Sequence, residues 1–194
     1  MKRVFVWIRE DGSGAEYCFA EIDGTTLRAE GVQLGTRPRP YRLDYELATG
    51  PDFRTSSLQA RASGELWERV LDLVRLPDGA WRCHGRESGA PELGHAGGDP
   101  AAWAGALDCD LAFSPLTNTM PILREGLADG RGPVDLVMAW VSVPDLSVRQ
   151  SRQRYEPISA RRVRYRSASF SAELELDSDG VVRHYPGLAR EASS

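Results

Sequence analysis

Two carboxylates, Asp108 and Asp110, stand two residues apart in the run Asp108-Cys109-Asp110-Leu111. On an extended strand such positions share a face, so the pair could act as acid and base on one substrate. The same spacing suits a structural task, capping the next turn or holding an arginine, and Arg124 is the obvious local candidate. Other chemistry is sparse. The chain holds no GxSxG elbow, no phosphate-cradling P-loop, no GxGxxG and no HExxH. His84, His95 and His184 lie far apart, without the short spacing of metal ligands. Cys18, Cys83 and Cys109 are odd in number and form no CxxC pair, which reads as small buried thiols rather than a zinc ribbon or disulfide framework. No catalytic residue, metal or cofactor is expected.

The segment after the two aspartates carries more information. Ser114-Pro115 and Thr117-Asn118-Thr119 read as a strand end followed by helix-capping residues, and Pro121 suits a first helical turn. Ile122, Leu123 and Leu127 would give that short helix one apolar side, and Gly126 or Gly130 could end it. Asp108, Asn118 and Arg124 are expected at a polar pocket mouth, as supports of that mouth.

Short strands must position this segment. Val4 to Ile8 is a β-prone run stopped by Asp11-Gly12-Ser13-Gly14, and Asp23-Gly24 marks a hairpin. Tyr41, Leu43, Tyr45 and Leu47 alternate with Arg42, Asp44 and Glu46, the pattern of a half-buried strand. Leu66 to Leu76 has apolar residues at helical spacing, yet the turn Pro77-Asp78-Gly79 leads straight into Trp81, which favours a hairpin. Gly85 to Gly105 is an irregular loop rich in Gly, Ala and Pro. Val134 to Val143 is the most apolar strand and is expected to be central. The whole reads as a single domain over residues 1–194, a meander of about a dozen strands with one notable helix. In a curved sheet of this kind, Tyr45, Trp67, Trp81, Tyr155 and Tyr165 could line an apolar concavity.

Charge and composition narrow the function. At 41% hydrophobic residues and a net charge of −4, the chain suits neither a membrane span nor nucleic acid, whose phosphates favour basic surfaces. Of 24 basic residues only Lys2 is a lysine, and Arg162, Arg164 and Arg166 alternate along one solvated strand face. The N-terminal apolar run is too short for a signal peptide, so a cytoplasmic location is expected.

The run from Asp108 to Leu111 with Ser114-Pro115-Leu116-Thr117-Asn118-Thr119-Met120-Pro121-Ile122 resembles the signature of the putative glycolipid-binding family, once a domain of unknown function. Gly14, Glu16, Val143-Pro144-Asp145-Leu146, Gln153-Arg154-Tyr155, Val163-Arg164-Tyr165 and Tyr185-Pro186-Gly187-Leu188 match in order. The family's usual pair of arginines after Pro-Ile is here Leu123-Arg124, and the Gly85 to Gly105 loop is longer than the family's. The resemblance implies a mainly β fold like that of bacterial lipoprotein carriers: a curved antiparallel sheet forming an unclosed β-barrel under one short covering helix. It also implies a lipid or glycolipid ligand held in an apolar concavity, and the residues expected to bind it are Tyr45, Trp67, Trp81, Asp108, Asn118, Arg124, Tyr155 and Tyr165. The alternative is a hydrolase-like enzyme using Asp108 and Asp110 on a small amphipathic substrate.

Overall fold

Period-two burial runs through most of the chain and folds it into one sheet. In the computed structural model, which describes residues 1–168 and 170–192, seven strands form a first meander. These are β1 (Lys2–Arg9), β2 (Gly14–Asp23), β3 (Thr26–Gly35), β4 (Tyr41–Thr49), β5 (Thr55–Gly64), β6 (Trp67–Arg75) and β7 (Trp81–Ser88). An irregular segment leads to β8 (Asp108–Leu111) and the short helix α1 (Thr119–Arg124). The second meander is β9 (Val134–Val141), β10 (Val148–Ser159), β11 (Arg162–Arg166), β12 (Ser171–Leu176), β13 (Val182–Tyr185) and β14 (Ala189–Glu191). The 14 strands lie in the order β7-β6-β5-β4-β3-β2-β1-β14-β13-β12-β11-β10-β9-β8, so β7 and β8 are free ends and the barrel is not closed by strand pairing. The first and last strands join the two meanders, with Trp7 opposite Glu191.

One expectation is refined and another corrected. The paired strands are antiparallel except β8, which runs parallel to β9 with Asp110 opposite Trp140. A hairpin cannot join parallel neighbours, so the chain crosses over between them, and that crossover is the family signature with its helix. The apolar strand β9 is second from the end rather than central, and only Met138, Ala139 and Val141 along it are buried. Met138 and Ala139, consecutive and so on opposite faces, are both buried and join different clusters, so the apolar run reflects cover on both faces at this one end of the strand. The ambiguous stretch after Leu66 is strand β6. Pairing with both neighbours decides it: Leu71 lies opposite Ala60 on β5 and Gly85 on β7.

The inward face is packed. Leu43, Leu58, Leu71 and Leu73 of the first meander share one buried cluster with Leu116 and Met120 of the crossover and with Trp103 of the segment before β8. A second cluster joins Ile122 and Leu127 to Tyr155, Val163, Tyr165, Leu174 and Tyr185. The long Gly-rich loop acts as a strap. Its Gly97 amide donates to Leu146 O at 2.8 Å and its carbonyl accepts from the Val148 amide at 2.8 Å. On the other side it lies against β7 so closely that a Cβ on Gly85 would sit 2.0 Å from Ala96 O.

The outward face divides sharply. On β1 its positions are Val4, Val6 and Ile8, and opposite them on β2 stand Phe19, Tyr17 and Ala15. Continuing onto β3, the facing residues are Glu30, Val32 and Leu34, so Glu30 alone is charged in this three-by-three grid. The next rows change character: Glu46, Asp44 and Arg42 on β4 face Gln59, Arg61 and Ser63 on β5. No described helix is long and apolar enough to cross a membrane, which says nothing of strands.

Candidate functional site

Glycines on β3 determine how aromatic residues reach inward. Gly31 lies opposite Tyr45, and Gly35 opposite Tyr41. A Cβ on Gly31 would meet the Tyr45 ring at 2.5 Å, and one on Gly35 would meet the Tyr41 ring at 2.4 Å. Each ring therefore lies across β3 and delivers its hydroxyl to β2 or β1. The Tyr45 hydroxyl donates to Glu16 Oε1, which also accepts from Ser114 Oγ at 2.7 Å. The Tyr41 hydroxyl meets the guanidinium of Arg9, which stacks 3.7 Å over the Phe113 ring. Gln33 Nε2 donates to Ala112 O at 3.1 Å. Three consecutive residues of the crossover, 112–114, are thus held by β1–β4, and this grip maintains Phe113 at φ 66°, a left-handed conformation costly for a non-glycine residue.

Glu16 is the unusual member. It is buried, and its Oε2 has no hydrogen-bond partner. Burial pushes its carboxyl up to about 7, against the opposing pull of the Tyr45 and Ser114 hydrogen bonds.

The rest of the crossover is tied to β8–β10 and β5. Arg124 Nη1 donates to Asp108 Oδ1 at 2.8 Å, and Nη2 approaches Oδ2 at 2.7 Å without hydrogen-bond geometry. Burial raises the Asp108 carboxyl and the guanidinium offsets part of that rise. Asp110 turns to different partners, Thr117 Oγ1 at 2.9 Å and Gln153 Nε2 at 2.6 Å, and burial raises it as well. The two carboxylates therefore serve separate ties. The Tyr155 hydroxyl lies 2.9 Å from both Asn118 Oδ1 and Gln153 Oε1 and donates to one at a time. Asn118 consequently makes no side-chain cap on α1, contrary to the expectation from its place in the sequence. Its oxygen is engaged by the sheet.

Of the residues expected in one pocket, the structure brings together Asp108 with Arg124, and Asn118 with Tyr155, whose ring meets Tyr165 edge-on at 5.3 Å. Tyr45 belongs with Glu16, while Trp81 donates from Nε1 to Ala106 O at 3.1 Å and Trp67 covers Gly64. The five aromatics are all buried in the packed interior.

An open groove of about 710 Å³ lies instead on the outward face of β2–β6. Tyr17, Phe19 and Val32 form its apolar end, and Glu30, Glu46, Gln59 and Asp72 line its polar side. An adjoining hollow of about 410 Å³ shares Phe19, Glu30, Glu46 and Gln59. Asp44 and Arg61 in the same groove are neutralised by Arg42 and Glu68, at 2.6 Å for the first pair. Among the described residues Glu30, Glu46 and Asp72 have no ion-pair partner, although Glu30 and Glu46 are directly opposed across β3 and β4. Sequence reasoning missed this groove because strand pairing brings its residues together. Val4 to Ile8, apolar at odd and even positions alike, marks a neighbouring strand with two apolar faces but supplies no residue to the groove.

The architecture is a β half-barrel with a covering crossover braced from beneath by buried polar ties, and an amphipathic groove on its back. The chain belongs to the putative glycolipid-binding family, whose model matches residues 4–191. The crystal structure of a DUF1089 family protein from Pseudomonas aeruginosa is similar, at 28% sequence identity and a TM-score of 0.71, covering 91% of this chain and 92% of that one. No curated protein matches the chain.

Proposed function

We propose that the protein binds a glycolipid-type amphiphile and does not transform it, and that the outward groove of β2–β6 is where the ligand's headgroup sits. The observation that carries this reading is the groove's composition: an aromatic and aliphatic end at Tyr17, Phe19 and Val32, beside carboxylates of Glu30, Glu46 and Asp72 free of ion partners. Sugar hydroxyls donate well to carboxylates, and the apolar faces of sugar rings stack on aromatic rings. Membership of the family supports the ligand class.

In this reading the expected ligand residues act from below. Asp108, Asn118 and Arg124, with Tyr45, Trp67, Trp81, Tyr155 and Tyr165, fix the curvature of the sheet whose back carries the groove. The two aspartates are spent on Arg124, Thr117 and Gln153, which leaves the hydrolase alternative without a free acid–base pair.

Native mass spectrometry of the protein purified from its own cells tests this. Wild type should carry a glycolipid adduct, and Phe19→Ala/Glu46→Ala should lose it while keeping its fold. An adduct retained by the variant would move the site elsewhere, and wild type without any lipid would end the reading.

A further inference from the structure

The apolar grid on β1–β3 is exposed where a soluble sheet is normally polar. Of the exposed large hydrophobic side chains among the described residues, five belong to it: Val4 at 46%, Val6 at 37%, Ile8 at 51%, Tyr17 at 50% and Leu34 at 55%. Scattered exposed hydrophobics are ordinary, but a contiguous patch marks a contact surface. We propose that this face docks on the surface of a neutral or zwitterionic lipid bilayer.

Three observations favour a lipid surface over a protein partner. The first is area. The five side chains together expose roughly 400 Å² of apolar surface, about half of what each partner buries in a standard protein interface. The second is hydrogen bonding. β2 and β3 are paired along both sides and β1 along β2, with β14 opposite only Trp7 to Arg9, so most backbone groups of the grid are consumed, and the Tyr17 hydroxyl and the Glu30 carboxylate are its polar side-chain groups. A protein interface of ordinary size needs about ten hydrogen bonds, whereas acyl chains need none. Tyr17, with an apolar ring and a polar tip, suits the bilayer interface.

The third observation sets the lipid charge. Of the cations bordering the grid, Lys2 is matched by Glu21 at 3.1 Å and Arg42 by Asp44 at 2.6 Å, while Arg28 beside Glu21 and Arg190 beside Ile8 have no ion-pair partner among the described residues. Glu30 within the grid and Glu46 directly beside it are unmatched as well, and these two carboxylates offset the two free arginines. Such a border gives no net attraction to an anionic surface, which calls for surplus lysine and arginine. Binding therefore comes from apolar insertion alone. Because Tyr17, Phe19 and Val32 belong both to the grid and to the groove, a headgroup in the groove would lie beside the bilayer surface; only this last link rests on the glycolipid reading.

Flotation with phosphatidylcholine vesicles tests the proposal. The wild-type chain should float, with little change between low and high salt. The variant Val6→Ser/Ile8→Ser/Leu34→Ser should lose at least tenfold in vesicle affinity while keeping its circular dichroism spectrum. Because the triple variant could fail to fold, a second measurement uses wild type alone: lipids carrying a paramagnetic label should broaden the methyl resonances of Val4, Val6, Ile8 and Leu34 before those of Leu66 or Ile158. Wild type that stays in solution, equal flotation of a folded triple variant, or broadening spread evenly over all exposed methyls would overturn it. So would a dimer in sedimentation that falls apart on the triple substitution, because the occupant would then be a second copy. Glu46→Ala/Asp72→Ala, in the groove but outside the grid, separates the two readings: it should lose the glycolipid adduct and still float.

Discussion

The two faces of β1–β3 each depart from the usual pattern, in opposite directions. Inside, charged Arg9 and Glu16 are buried under the crossover; outside, Val4, Val6, Ile8, Tyr17 and Leu34 stand in water. Buried ionisable groups are costly unless tied, and here Arg9 is tied to Tyr41 and the ring of Phe113, and Glu16 through one oxygen to Tyr45 and Ser114, its other oxygen left unpaired. Exposed apolar surface costs the folded state almost nothing, because it is also exposed when unfolded. The difference teaches which oddities belong to stability and which to contact with something else. The inner ones stabilise the crossover. The outer ones have no partner within the fold.

The comparison is sharpened most by breaking an inner tie. Asp108→Ala leaves the Arg124 guanidinium buried, its side chain 6% exposed, without its main counter-charge. Stranding a deeply buried charge costs about 3–5 kcal/mol, readable in a urea unfolding curve. Asn118→Ala should cost nearer to about 1 kcal/mol, because Tyr155 can still donate to Gln153 Oε1. If Asp108→Ala unfolds at the wild-type midpoint, the ties do not hold the crossover and the contrast between the faces collapses.

Glu16 gives the next effect, and it depends on pH. Its carboxyl is raised from 4.5 to about 7 in the folded protein, so the folded state keeps a proton that the unfolded state has lost. Stability from this group is therefore full below about pH 4.5, falls as pH rises to about 7, and stays low above. At about 1.4 kcal/mol for each pH unit, that rise amounts to about 3 kcal/mol. Gln at this position cannot ionise. Glu16→Gln should gain on wild type steadily between pH 5 and pH 7, measured as the difference in thermal midpoint. A constant difference across that range would show that Glu16 titrates normally.

Much of the inner face was legible from sequence. Alternation placed Tyr41, Leu43, Tyr45 and Leu47 inward, and the Thr-Asn-Thr-x-Pro run located α1 at Thr119. What stayed hidden depends on lateral pairing, which no local pattern encodes. The parallel β8–β9 contact arises because the crossover tucks under the sheet, and Asn118 abandons its cap because Tyr155, 37 residues later, reaches it first. The groove is hidden for the same reason: Phe19, Glu30, Glu46 and Gln59 become a row only after β2, β3, β4 and β5 are in register.

The smallest expected effect is the most direct test of the outer face. Leu34 on β3 and Leu43 on β4 are chemically identical residues on adjacent strands, yet Leu43 is fully buried and Leu34 is 55% exposed. Leu43→Ala removes packed methyl groups and leaves a cavity, at a cost of about 2–5 kcal/mol. Leu34→Ser removes atoms that touch mostly solvent and puts a hydroxyl where water can reach it, so stability should change by no more than about 0.5 kcal/mol. Equilibrium unfolding of the two variants side by side reads both. A loss at Leu34 approaching that at Leu43 would mean that the grid is covered within the folded protein in solution, and that what covers it is part of the fold. A loss near zero leaves the apolar grid with no stabilising role, as expected of a surface kept for a partner.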